Sequence, residues 1–196
     1  NVPLKNNLHM LDVATGTGDV VFSVLKYKHD TVERIVGCDL AEEMMLVGKK
    51  KLSKKKYSKK ASFVVGDACD LPFEDNSFDA VSISFGIRNV PDYEKALSEM
   101  RRVLKPEGKL LVLEFSLPEN MVFRTCYLFY FRYVLPRLGG VLSGQLKAYS
   151  YLNKTVEAFP DVKQFLSLIK KVGFSHQDKI SLSGGIATLY TGLKEG

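Results

Sequence analysis

Two glycines, Gly16 and Gly18, close the run Leu11-Asp12-Val13-Ala14-Thr15-Gly16-Thr17-Gly18-Asp19, where an apolar strand pattern gives way to a helical one. Without a Cβ the backbone there takes positive φ and approaches a ligand to contact distance. The free N–H groups at the start of the following helix face the same ligand. Asp39 ends the next apolar run, Arg34-Ile35-Val36-Gly37-Cys38-Asp39, at the separation where a carboxylate holds a ribose diol. A dinucleotide site needs a third glycine beside the pyrophosphate, at the last position of its G-x-G-x-x-G pattern. Counted from Gly16 that position is Val21, and counted from Ala14 it is Asp19. The spacing therefore describes a nucleoside ligand without a pyrophosphate.

The elements that must position these residues alternate strand and helix. Apolar runs at 9–14, 32–38, 61–65, 78–85 and 109–115 predict strands. Helical patterns lie between them at 18–27 and 41–52, and in Ala96, Leu97, Met100, Val103 and Leu104, capped by Asp92 and stopped by Pro106 and Gly108. Asp161 opens a further helix with Val162, Phe165, Leu166, Ile169 and Val172 inward. Runs at 176–182 and 186–193, joined at Gly184-Gly185, predict an antiparallel edge hairpin. The expected fold class is α/β: a doubly wound, mostly parallel seven-stranded sheet with an antiparallel C-terminal hairpin. Ligands of such sheets sit at the carboxyl ends of the strands. The polar residues fall there: Gly16 and Thr17, Asp39, Asp67, Ser84 to Asn89, then Glu114 and Ser116. With 196 residues, 45% of them hydrophobic, the chain is expected to be one domain, 1–196, interrupted by an aromatic-rich, substrate-side segment at about 117–160.

The net charge of +6 is local, since eight lysines lie between Lys49 and Lys60. That run favours an anionic partner, but Tyr57 is its only interleaved aromatic and no nucleic-acid recognition motif appears, so nucleic acid is not expected as a partner. The three cysteines, Cys38, Cys69 and Cys126, lack metal-ligand spacing and are expected as free thiols of a cytoplasmic protein, with no metal site. No signal peptide or spanning run is present, because the apolar stretch 121–135 is short and carries Arg124 and Arg132. The chain starts at Asn1 rather than a methionine and soon reaches its first strand, which is the expectation for a processed or truncated form lacking part of its cover. His9, His29 and His176 all fall away from the strand ends that form the site.

The acidic residue followed by small residues at alternate positions, Asp12, Ala14, Gly16 and Gly18, resembles the first motif of the class I S-adenosylmethionine-dependent methyltransferases. Asp67-Ala68-Cys69-Asp70-Leu71-Pro72-Phe73, Ser84-Phe85-Gly86-Ile87-Arg88-Asn89-Val90, Arg102-Val103-Leu104-Lys105-Pro106 and Leu113-Glu114-Phe115-Ser116 look like the ubiquinone/menaquinone biosynthesis C-methyltransferases of the UbiE/MenG type. The similarity runs from about Leu11 to Leu193, and Tyr149 to Leu152 fits it. Two departures stand out. Members usually carry more residues before the first strand, and many have two adjacent glycines where this chain reads Ala14-Thr15-Gly16.

The resemblance implies S-adenosyl-L-methionine as cofactor, with Gly16, Thr17 and Gly18 at its methionine part, Asp39 at the ribose, Asp67 and Ala68 at the adenine edge and Ser84 beneath the sulfonium. It implies a prenylated quinol as acceptor: demethylmenaquinol first, a ubiquinone-pathway benzoquinol or a generic small molecule as alternatives. Arg88, Asn89 and Tyr149 become the catalytic candidates, Arg88 as a donor to a developing phenolate, since a guanidinium is no base at neutral pH. An acceptor with a polyprenyl tail resides in the bilayer, so the lysine run is expected to touch anionic membrane and residues 123–133 to receive the tail. A homodimer is left open.

Overall fold

The computed structural model describes residues 6–54, 57–118, 120–130 and 146–196, with side chains from residue 151 onward in the last stretch. Its strands are β1 (Leu8–Val13), β2 (Val32–Asp39), β3 (Ala61–Val65), β4 (Phe78–Ser84), β5 (Leu104–Phe115), β6 (Phe174–Leu182) and β7 (Ala187–Lys194). Its helices are α1 (Asp19–Lys28), α2 (Glu42–Leu52), α3 (Tyr93–Val103), α4 (Met121–Phe129), α5 (Leu146–Ala158) and α6 (Val162–Lys171). The seven strands run in the order β3-β2-β1-β4-β5-β7-β6. The first five are mutually parallel, while β7 lies antiparallel between β5 and β6.

Period-2 alternation of the central strands builds a layer on each face. Leu8 and Met10 of β1 face Val21 and Leu25 of α1 and Met45 of α2. Leu11 and Val13 join Leu97 and Met100 of α3 and Phe165 and Ile169 of α6 on the opposite side. The caps expected from sequence are present: the Asp92 carboxylate accepts the Lys95 N–H, and Asp161 forms a reciprocal capping box with Gln164.

One boundary differs. The third helix does not run on to Pro106; it ends at Val103, and Leu104 is already in β5, paired with Phe78. Proline disfavours the helical region for the residue before it, so the chain turns extended ahead of Pro106.

Candidate active site

β1 lies between β2 and β4, so the direction of winding reverses at its carboxyl end, and a cleft of about 350 Å³ opens there. Ala14 and Gly16 follow β1, Asp39 and Leu40 close β2, and Gly66, Asp67 and Ala68 follow β3. Phe85, Gly86 and Asn89 form the wall after β4, and Met44 of α2 leans over the glycine turn. The approach is tight at Gly86, where an added Cβ would stand 2.6 Å from that of Ala14. Gly18 holds φ 83° under Phe63, which gives the chain its turn into α1.

Asp39 fixes the turn as well as facing the cleft. Its Oδ2 accepts the Gly16 N–H at 2.7 Å and its Oδ1 the Ala41 N–H at 2.8 Å. Asp67 Oδ1 accepts the Cys69 N–H at 2.8 Å, which shapes the loop after β3. Beneath the glycine turn Asp12 is 1% exposed, accepting Thr15 Oγ1 and Ser82 Oγ, each at 2.7 Å. Burial pushes its carboxyl up to about 6 although both hydroxyl donors oppose the shift. Burial, with Asp39 and Asp67 nearby, pushes the Cys38 thiol up to about 12, so no thiolate nucleophile stands beside the cleft at that position.

Behind the Phe85–Asn89 wall is a buried ion pair. Arg88 Nη1 lies 2.7 Å from Glu114 Oε1 and also donates to the Phe85 carbonyl. Glu114 is fully buried and further accepts the N–H groups of Phe115 and Arg88. Burial raises the Glu114 carboxyl above its ordinary range, against the pull of those donors. Arg88 Nε is buried and has no hydrogen-bond partner among the described residues. In front, the Tyr151 hydroxyl of α5 donates to Asn89 Oδ1 at 3.0 Å, so α5 reaches across to the cleft wall.

The ubiE/COQ5 methyltransferase family model matches residues 2–194. The chain belongs to this family. It is 44% identical, over 98% of its length and 81% of the relative, to a ubiquinone/menaquinone biosynthesis C-methyltransferase UbiE of Citrifermentans bemidjiense. It is also 44% identical, over 94% of its length and 75% of the relative, to a demethylmenaquinone methyltransferase of Bacteroides fragilis. Among solved structures, a Haemonchus contortus phosphoethanolamine N-methyltransferase 2 aligns with all of this chain and 50% of its own at a TM-score of 0.73 and 19% identity. A Bacillus halodurans protein covers 98% of this chain and 95% of its own at a TM-score of 0.69 and 20% identity. These two show a shared fold.

The chain is a methyltransferase, and S-adenosyl-L-methionine is its methyl donor. The cleft fits that donor. It has the volume of a small-molecule site, carries the carboxylates of Asp39 and Asp67, and has a wall at Gly86 where a Cβ would stand 2.6 Å from that of Ala14.

Of the residues expected at the cofactor site, the fold brings Gly16, Asp39, Asp67 and Ala68 together as cleft lining, joined by the catalytic candidate Asn89. Thr17, Gly18, Ser84 and Arg88 stand around it without lining it. Thr17 turns its hydroxyl away, donating to Asp19 at 3.1 Å and accepting from Lys51 Nζ at 2.9 Å. Ser84 ends β4, paired with Leu113. The Tyr149 side chain lies outside the described residues. Sequence reasoning did not single out Tyr151, Met44 or Phe85 as site residues, although the stretches carrying the family resemblance contained both Phe85 and Tyr151. No histidine lines the cleft; His9 contacts Glu33 and His29 stacks on Tyr57.

Proposed function

We propose that this chain methylates a ring carbon of a prenylated quinol, with demethylmenaquinol as acceptor and menaquinol as product. The observation that carries the reading is the two-sided cleft, with Asp39 and Asp67 on one side and the Arg88–Glu114 pair behind the other. The Bacteroides relative's name supports the menaquinone acceptor. The Citrifermentans relative's name includes ubiquinone, and it supports a benzoquinol as the second reading.

Bound in the cleft, the donor supplies an electrophilic methyl group on a positively charged sulfur. Asp39 holds the ribose hydroxyls, Asp67 and the Ala68 N–H the adenine edge, and the Gly16–Gly18 turn the methionine portion. Thr17, its hydroxyl engaged by Lys51 and Asp19, contributes its main chain. Ser84 supports the wall beneath the sulfonium.

On the acceptor side the residues orient the quinol and stabilise its charge. A quinol carbon becomes nucleophilic as the neighbouring hydroxyl gains phenolate character. A guanidinium is no base at neutral pH, so Arg88 stabilises that oxygen instead of taking its proton. Glu114 holds Nη1 and so fixes the guanidinium behind the Phe85–Asn89 wall, where its charge acts on the acceptor oxygen. Asn89, bridged to Tyr151, and Tyr149 on the same helix complete the acceptor side and help exclude water.

We extend the proposal to the membrane surface. Lys49, Lys50, Lys54 and Lys59 are exposed and attract anionic lipid. Lys51 and Lys60 are spent on the fold, Lys51 on Thr17 and Asp19, Lys60 on the His29 and Val32 carbonyls. Among the described residues no helix is long and apolar enough to cross a membrane.

The test follows labelled methyl from the donor into a demethylmenaquinol and, in parallel, a demethylated benzoquinol. Label in the naphthoquinol product supports the first reading, and preference for the benzoquinol supports the second. Label in neither overturns both.

A further inference from the structure

A second and larger cavity, about 610 Å³, lies past the carboxyl end of β5 among α4, α5 and the start of α6. Its lining is mixed: Phe115, Leu117, Val156, Phe159 and Val162 supply apolar surface, and Arg124, Glu157, Asp161 and Lys163 supply charged groups. It shares no lining residue with the donor cleft, yet the two spaces meet at one aromatic contact. Phe85 lines the donor cleft, Phe115 lines this cavity, and their rings are 4.5 Å apart between centroids. The Arg88 guanidinium stands 5.3 Å from the Phe115 centroid, over that same contact. An acceptor ring held near Arg88 therefore has apolar space next to it, behind Phe115.

The surroundings point to one kind of occupant. α4 contributes Arg124 to the cavity, and on the same helix Met121 and Val122 are 81% and 75% exposed. A hydrocarbon chain arriving from a lipid phase finds apolar surface outside at Met121 and Val122 and, inside, the apolar side formed by Phe115, Leu117, Val156 and Phe159. We infer that this cavity receives the isoprenoid chain of the acceptor, with the Phe85–Phe115 pair as the wall between chain and reacting ring. The inference rests on the proposed prenylated-quinol acceptor. It places the chain against the segment after β5, the α5–α6 junction and Arg124 of α4.

The test fills the cavity and compares acceptors of one ring type with and without a prenyl chain. Val162 is half-buried at the first position of α6, and Val162→Trp places bulk in the cavity; Leu117→Phe serves if that variant does not fold. The expected result is a KM for the prenylated quinol raised about tenfold, which corresponds to roughly two buried methylene groups. Turnover of the tail-less quinol and donor affinity should stay at wild-type values. Equal effects on both acceptors, or none on the prenylated one, overturn the inference. So does a wild-type enzyme with the same KM for both, which leaves quinol methylation standing. Wild-type protein that methylates neither quinol overturns the functional reading itself.

Discussion

Arg88 Nη1 and Glu114 Oε1 are 2.7 Å apart, the first 12% exposed at the side chain and the second not exposed at all. Removing one partner of such a pair leaves an uncompensated buried charge, which costs about 3 to 5 kcal/mol. Arg88→Ala and Glu114→Ala should therefore both lower stability in denaturant unfolding, so their activities alone cannot separate structure from chemistry. The double variant Arg88→Met/Glu114→Gln removes both charges and should recover most of that stability. Its donor affinity should be near wild type, while methylation falls on the order of 100-fold for want of one charge-stabilising donor. Wild-type turnover in the double variant would make Arg88 purely structural.

Asp39 joins two roles that one substitution cannot separate. Asp39→Ala should weaken donor binding by about 2 to 4 kcal/mol through the lost ribose contacts. It should also loosen the Gly16 turn and the Ala41 start of α2, lowering the melting temperature without donor. Asp39→Asn keeps one acceptor oxygen and should lose less of both. Calorimetric affinity in Asp39→Ala equal to wild type would remove the ribose assignment.

Asp12 makes stability fall as pH rises through a window set by its carboxyl. Its folded value is about 6 against 3.8 in the unfolded chain, so between those values the folded state binds more protons than the unfolded one. Stability from this group is then complete below the unfolded value and lost as pH climbs to the folded one, about 3 kcal/mol in all. Asp12→Asn mimics the protonated form. Relative to wild type, the variant's donor-free stability should grow between pH 4 and pH 7, and a constant difference in urea titrations would refute it.

The exposed lysines are tested on vesicles. Replacing Lys49, Lys50, Lys54 and Lys59 by Gln should abolish sedimentation with anionic vesicles at low salt, since each lysine near the surface contributes about 1 kcal/mol. Lys51→Gln should instead weaken the fold, because its amine bridges Thr17 and Asp19. Binding by wild type that ignores salt and lipid charge would refute the electrostatic contact.

Local periodicity made most of the fold legible. The apolar run of β1, the helical spacing of Leu97 and Met100, and the capping carboxylates Asp92 and Asp161 are each written within a few consecutive residues. Asp39 and the glycine turn were readable for the same reason, because each ends a strand and every parallel strand delivers its end to one edge of the sheet. Side-chain partners across the sheet were not readable. Arg88 meets Glu114 26 residues away, Lys51 meets Thr17 34 away, and Tyr151 meets Asn89 62 away. These contacts depend on strand order and register, which put β5 beside β4, and on where a helix crosses the strand ends. Sequence chemistry thus named two carboxylates, Asp39 and Asp67, that line the cleft. Only the packed sheet decided that Thr17 turns outward to Lys51, that Arg88 is held by Glu114, and that a second cavity lies beyond the Phe85–Phe115 pair.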